Sequence, residues 1–203
     1  MLKVVLAIVL SYLLGGILTG EIIGLITKVN IRKKGSGNPG ATNVYRLLGP
    51  LFAAIVLCGD VLKGVAGTLI GSWLGMPELA PWCALAVIAG HNWTPFFGFQ
   101  GGKGIATSFG TIIVLVPKIL WLAVPVWVVL LLASGYVSLA SIGAAVALPL
   151  ACLIFYAGET SILIYGIIAC LFAIYRHRAN IQRILNGTEN RVFRSKKARE
   201  EER

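Results

Sequence analysis

The sequence predicts an all-α, polytopic membrane protein with seven transmembrane helices, its N-terminus outside and its C-terminus in the cytoplasm. Three observations carry that prediction. Of 203 residues, 57% are hydrophobic and only 13% charged, and mean hydropathy is +0.84, whereas a soluble domain carries roughly 25% charged residues. The apolar residues fall in runs able to cross about 30 Å of hydrocarbon. The charges sit between runs and in the tail, with a sign that changes from loop to loop.

The run 3–26 exceeds the roughly 7–15 residues of a signal-peptide core and lacks a clear cleavage site, so it is read as the first span. The second and third spans are 51–74 and 80–96. The stretch 105–133 is too long for one crossing, and Pro117 divides it into 105–116 and 118–133. The last two are 138–156 and 161–176.

Segment 27–50 holds Lys28, Arg32, Lys33, Lys34 and Arg46 and no acid. The tail 176–203 holds nine basic residues against four glutamates. The turns around Glu78 and Glu159 carry an acid and no base. Positive-inside logic puts 27–50 and the tail in the cytoplasm and the two acidic turns outside, which seven spans satisfy. It also puts 97–104 and 133–138 inside. The net charge of +10 is then topology plus attraction to anionic headgroups, and no nucleic-acid partner is implied. Cys58, Cys83, Cys152 and Cys170 lie in apolar runs without C-x-x-C spacing or a Cys/His cluster, which excludes disulfide and zinc frameworks.

Three polar segments carry the chemistry. In GSGNPGATNVYR (35–46), Gly35, Gly37 and Gly40 permit positive φ and Pro39 pins a turn, so amides can converge on an anion. Ser36, Asn38, Thr42 and Asn43 add neutral donors, and Arg46 adds a planar fork suited to phosphate. In GHNWTPFFGFQGGKG (90–104), Gly101, Gly102 and Gly104 surround Lys103, offering amides and one cation to a phosphate. The spacing is not that of a Walker A loop. Trp93, Phe96, Phe97 and Phe99 suit a membrane interface. His91 reads equally as a buried histidine ending a span or as a catalytic group. In RHRANIQRILNGTEN (176–190), His177, Asn180 and Ile184 share a helical face at i, i+3, i+7, and Asn186-Gly187 stops the helix. Asp60 and Lys63 stand inside the second span at i, i+3, close enough to form a structural pair.

Taken in order, the three segments resemble the signature segments of the bacterial integral-membrane acyl-phosphate:glycerol-3-phosphate acyltransferases. The resemblance spans nearly the whole chain, 1–203, as one transmembrane domain with cytoplasmic loops 35–46 and 97–104 and a cytoplasmic tail 177–203. It implies transfer of a fatty acyl group from acyl phosphate to the 1-hydroxyl of sn-glycerol 3-phosphate, giving lysophosphatidic acid, in the bacterial inner membrane. It also implies that Ser36, Arg46, His177 and Asn180 belong to the active site. Gly101, Gly102, Lys103 and Gly104 would form the glycerol-3-phosphate loop, and Glu189 would act structurally.

That chemistry suits these residues. Acyl phosphate is a mixed anhydride with a good leaving group, so no acyl-enzyme is required. The site's task is to hold two repelling anions together and stabilise the developing oxyanion. Either His177 or the departing phosphate can take the hydroxyl proton. Asp60 is the only aspartate, which excludes H-x-x-x-x-D pairs and aspartate-rich magnesium sites; no metal and no cofactor is expected. The elbow G-x-S-x-G is absent, which favours Ser36 as a ligand over a nucleophile. The alternative is a transporter or channel for a small phosphorylated or inorganic anion, lined by glycine-broken helices and the Asp60–Lys63 pair.

Overall fold

The computed structural model describes residues 1–192, so Arg194, Lys196, Lys197, Arg199 and Arg203 of the expected basic tail lie outside the described residues. Among the described residues the chain is helical with no strand. The helices are α1 (Leu2–Gly16), α2 (Thr19–Ile26), α3 (Ala41–Leu48), α4 (Pro50–Trp73) and α5 (Ala80–Asn92). They continue as α6 (Ile105–Leu115), α7 (Leu120–Ser134), α8 (Val137–Phe155), α9 (Thr160–Arg176) and α10 (Arg178–Leu185).

Four of these segments are long and apolar enough to cross a bilayer: Leu2–Ile26, Pro50–Trp73, Pro117–Ser134 and Val137–Phe155. A fifth exists if α9 and α10, bent by 56°, count as one. The remaining two expected spans are shorter than 80–96 and 105–116 suggest. At 1.5 Å per residue, α5 and α6 reach about 20 Å and about 16 Å. Helix α5 stops at Asn92 because the amides of Gly101 and Gly102 take the carbonyls of Asn92 and His91. Helix α6 stops before Pro117, which drives Val116 out of the helical region, to φ −146° and ψ 57°.

The first span is broken. Ile17 and Leu18 are extended between α1 and α2, and the freed carbonyls find partners elsewhere. Gly16 O accepts from Thr94 Oγ1 at 2.7 Å and Ile17 O from Lys63 Nζ at 2.7 Å. Backbone polar groups at this depth require such partners, because lipid offers none.

Helix α1 packs along α5, α4 along α5 and α6, and α8 along α7 and α9. Small residues permit the close crossings. A Cβ on Gly15 would fall on the Val87 carbonyl and one on Gly90 on the Tyr12 carbonyl, so α1 and α5 touch backbone to backbone. Side chains facing away from the bundle are apolar and exposed, Leu2, Leu51, Trp121 and Leu132 among them, as a lipid-facing surface requires. The core beneath is formed by residues such as Ile88, Ile112, Ile119, Leu148 and Tyr165.

Four connections meet at one end. Arg32 reaches the Gln100 carbonyl at 2.8 Å, Arg176 the Gly101 carbonyl at 2.7 Å, and the Val192 amide the Gly135 carbonyl at 2.8 Å. Separately, the amide of Lys118 meets Tyr156 Oη at 3.4 Å, joining the α6–α7 and α8–α9 connections.

Candidate active site

Each polar segment is fixed by its own sequence before it meets the others. In 35–46, Asn43 is the organiser. Its Oδ1 accepts from the Ser36 amide at 2.8 Å, and its Nδ2 donates to the carbonyls of Lys34 (3.2 Å) and Ile31 (3.3 Å). Gly37 at φ +69° turns the chain so that its amide bonds the Lys34 carbonyl. The amides of Ser36 and Gly37, expected to face an anion, are therefore used inside the loop, and so is the side chain of Asn43. What the segment offers outward is different. Ser36, Asn38, Thr42 and Arg46 line the cavity, together with the opening turn of α3. Thr42 and Arg46 lie one turn apart on the same face of that helix.

The glycine loop 97–104 likewise spends amides on its own neighbourhood. The Gly101 amide bonds the Asn92 carbonyl at 3.1 Å and the Gly102 amide the His91 carbonyl at 3.0 Å. Their own carbonyls accept from Arg176, at 2.7 Å and 2.8 Å. Neither amide is free to cradle phosphate. The two glycines are needed for approach instead: a Cβ on Gly101 would strike the His91 carbonyl, and one on Gly102 would strike His91 Nε2. That packing delivers Lys103 to the cavity wall, with Gly104 at φ +78° opening α6 behind it.

The third segment bends at His177, between α9 and α10. His177 is buried and its Nδ1 lies 2.8 Å from the Ala173 carbonyl. A carbonyl only accepts, so Nδ1 carries the proton and Nε2 is left as the acceptor. Glu189 closes the segment on itself. Its Oε1 accepts from Asn180 Nδ2 (2.7 Å) and from Ser138 Oγ of α8 (2.9 Å), and its Oε2 pairs with Arg183 Nε at 2.7 Å.

These groups converge on two connected cavities. The first, of about 520 Å³, has a polar mouth of Ser36, Arg46, Lys103, His177 and Asn180. It continues as an apolar channel between α6, α7 and α8, walled by Phe109, Ile112, Val124, Trp127 and Leu148. Among the described residues the second, of about 480 Å³, is lined by five cations, Arg32, Lys103, Arg176, Arg178 and Arg183, and by no acid. Ser36, Asn38, Lys103, Asn180 and Arg183 belong to both. A greasy arm and a cationic arm thus meet at one set of donors. Asp60 and His91 line the first cavity too, from the bundle side.

Electrostatics follow the crowding. Burial pushes Lys103 down to about 8; Glu189 resists, and Arg183, Arg46 and Arg176 add to the fall. Burial and the charge of Lys103 push His177 down to about 4, against the Ala173 hydrogen bond and Glu189, so it is neutral near pH 7. Glu189 is opposed by burial, yet hydrogen bonds from Asn180, Arg183 and Ser138 hold its carboxyl below the usual range.

In the sequence Arg183, Arg176 and Arg178 read as topology charges, and Trp127, Ser138 and Ser141 belong to no motif. The signal for the last three was slight. Trp127 Nε1 donates to Ser141 Oγ at 3.3 Å across α7 and α8, a link that two hydroxyls spaced i, i+3 in an apolar span only hint at.

Fold and site together define a membrane-embedded helical protein in which an apolar channel and a cationic pocket meet at one set of donors. The comparisons narrow this. A family model described as "Glycerol-3-phosphate acyltransferase" matches residues 5–187. The glycerol-3-phosphate acyltransferase of Desulforudis audaxviator is 47% identical over 94% of this chain and 96% of its own length. That of Thermoanaerobacter pseudethanolicus is 43% identical over 93% and 95%. Among solved structures, PlsY (YgiH), an integral membrane glycerol 3-phosphate acyltransferase, matches in its glycerol 3-phosphate form with a TM-score of 0.87 and 37% identity, covering 94% of this chain and 96% of that one. Its lysophosphatidic acid form matches with a TM-score of 0.84, covering 93% and 94%. The chain belongs to the glycerol-3-phosphate acyltransferase family.

Proposed function

We propose that this chain transfers a fatty acyl group from acyl phosphate to the 1-hydroxyl of sn-glycerol 3-phosphate, releasing 1-acylglycerol 3-phosphate and inorganic phosphate. One domain spanning 1–203 does this at the cytoplasmic face of the bacterial inner membrane, as seven spans with the N-terminus outside. The observation that carries the reading is the junction of an apolar arm and a cationic arm at Ser36, Asn38, Lys103, Asn180 and Arg183. The relatives' solved forms with glycerol 3-phosphate and with lysophosphatidic acid are in keeping with it.

In this reading the acyl chain lies in the channel beside Trp127 and Leu148, with its phosphate at the mouth. Glycerol 3-phosphate enters the cationic arm, and Lys103 and Arg183 draw both anions together. The hydroxyl oxygen attacks the acyl carbon, and the bond from that carbon to the phosphate oxygen breaks. Ser36, Arg46 and the opening turn of α3 are placed to hold the departing phosphate. His177 accepts the hydroxyl's hydrogen bond at Nε2 and orients it. A group lowered to about 4 is a weak final proton sink, so the departing phosphate, whose oxygen is freed as a more basic oxyanion when the bond to the acyl carbon breaks, takes the proton.

Purified protein in detergent tests this against a transporter, which needs a sealed compartment. Phosphate release is expected only when acyl phosphate and glycerol 3-phosphate are both present, with stoichiometric 1-acylglycerol 3-phosphate. No release from monodisperse protein would overturn the reading.

A further inference from the structure

The motif loops 35–46 and 97–104 must hold their separation to keep Arg46 and Lys103 on the same pair of phosphates, yet few direct bonds join them. A buried polar cluster beneath the cavity does. Asp60 Oδ1 lies 2.8 Å from Lys63 Nζ, accepts from Thr19 Oγ1 at 3.2 Å and stands 3.7 Å from His91 Nδ1. All but Thr19 are buried.

Each contact leads to a loop. Lys63 bonds the Ile17 carbonyl at the break in the first span, and Thr19 opens α2 directly after that break. One residue on, a Cβ at Gly20 would fall on the Pro39 carbonyl, so the start of α2 supports the loop 35–46 by backbone contact. On the other side, His91 Nδ1 lies 3.2 Å from Thr107 Oγ1 of α6, and its ring packs on Gly102 with no room for a methyl group between them. Its carbonyl holds the Gly102 amide. The single carboxylate of Asp60 therefore faces α2 and the first loop through Thr19, and the glycine loop through His91.

We infer that Asp60, held by Lys63, is a positioning residue that fixes the spacing of the two phosphate-binding loops. The inference rests on the proposed reaction and adds to it a group whose role is to hold the loops apart. A buried charge pair is weak support for stability in itself, because well-packed apolar residues often do as well. Its value here is directional, since the carboxylate pairs with Lys63 on its own helix, accepts from Thr19 of α2 and lies against His91 of α5. Displacement of a positioned group by about 1 Å costs on the order of 100-fold in rate.

Asp60→Asn keeps the shape and removes the charge; Thr19→Val removes one link and no charge. In detergent, kcat/KM for glycerol 3-phosphate is expected to fall about tenfold or more in Asp60→Asn and by less in Thr19→Val. The double variant should be little worse than Asp60→Asn alone, because both remove one shared connection. Paired spin labels at positions 34 and 99, in a Cys58→Ala background, supply a readout independent of turnover. Their distance distribution should be narrow in the parent and broadened in both single variants. Folded variants with parental kinetics and parental distances, or losses that simply add, would overturn the inference. Should Asp60→Asn fail to fold, an unaltered distance and kcat/KM in Thr19→Val would do the same. An inactive parent with the expected broadening in the variants would sink the proposed reaction and leave the buttress standing.

Discussion

Lys103 is the residue at which burial and catalysis pull in opposite directions. Removed from water and surrounded by guanidinium groups, it holds its proton only up to about pH 8, while glycerol 3-phosphate becomes a full dianion above about pH 6. A cation is needed to bind that dianion, and the lysine is charged below its pKa and neutral above. The attraction is therefore greatest between those two values and fades as pH rises through 8. The KM for glycerol 3-phosphate is expected to climb across that upper limb, measured from initial rates at saturating acyl phosphate. Lys103→Arg should flatten the climb, since arginine stays charged throughout. Lys103→Ala should raise KM more than it lowers kcat. A KM indifferent to pH and to substitution would move Lys103 out of the phosphate site. The residue itself was legible, a lone lysine among glycines. Its depressed proton affinity was not, because that comes first from burial in the assembled fold and then from Arg183, Arg46 and Arg176, which are distant in sequence.

At the scale of elements, the glycine loop works by packing. Gly101 and Gly102 bring the chain onto the open end of α5, donate their amides to the carbonyls of Asn92 and His91 respectively, and are tied by Arg176. Gly102→Ala places a methyl group on the His91 ring. The loop must then lift, and kcat/KM is expected to drop by about tenfold to 100-fold through misplaced Lys103, with a lower unfolding temperature in the same samples. A fully active Gly102→Ala would show that the loop does not rest on α5. The glycine pattern announced a special backbone; that its purpose is close approach depends on which helix lies beneath, which spacing cannot state. The break at Pro117 could be read directly, since proline acts on its own neighbours. The break at Ile17–Leu18 could not. No proline marks it, and it persists because Lys63 of α4 and Thr94, just past the end of α5, satisfy its carbonyls.

For the whole molecule, the arrangement of connections bears on the proposed topology. At one end, bonds link segment 27–46 to 97–104, 97–104 to Arg176 at the close of α9, and 134–137 to 177–192, and the turn at Lys118 meets Tyr156 in a separate group. Alternate connections meeting at one end is what a chain crossing seven times produces, even though α5 and α6 are short. Such short helices are tolerable where neighbours and headgroups cover their ends. The basic end is also where anionic substrates dissolved in water would be met, and positive-inside logic turns it to the cytoplasm. In a Cys58→Ala background, single cysteines at exposed Lys34 and Phe99 should react with an impermeant maleimide only after the inner face is opened. Cysteines replacing Glu78 and Glu159 should react in intact spheroplasts. Labelling of positions 34 and 99 from opposite faces would separate loops that the structure joins through Arg32 and Gln100, and the two-armed site would lose its physical basis. Labelling of both from outside would leave the site whole and reverse its orientation, placing acyl transfer on the far side of the membrane from the positive-inside assignment.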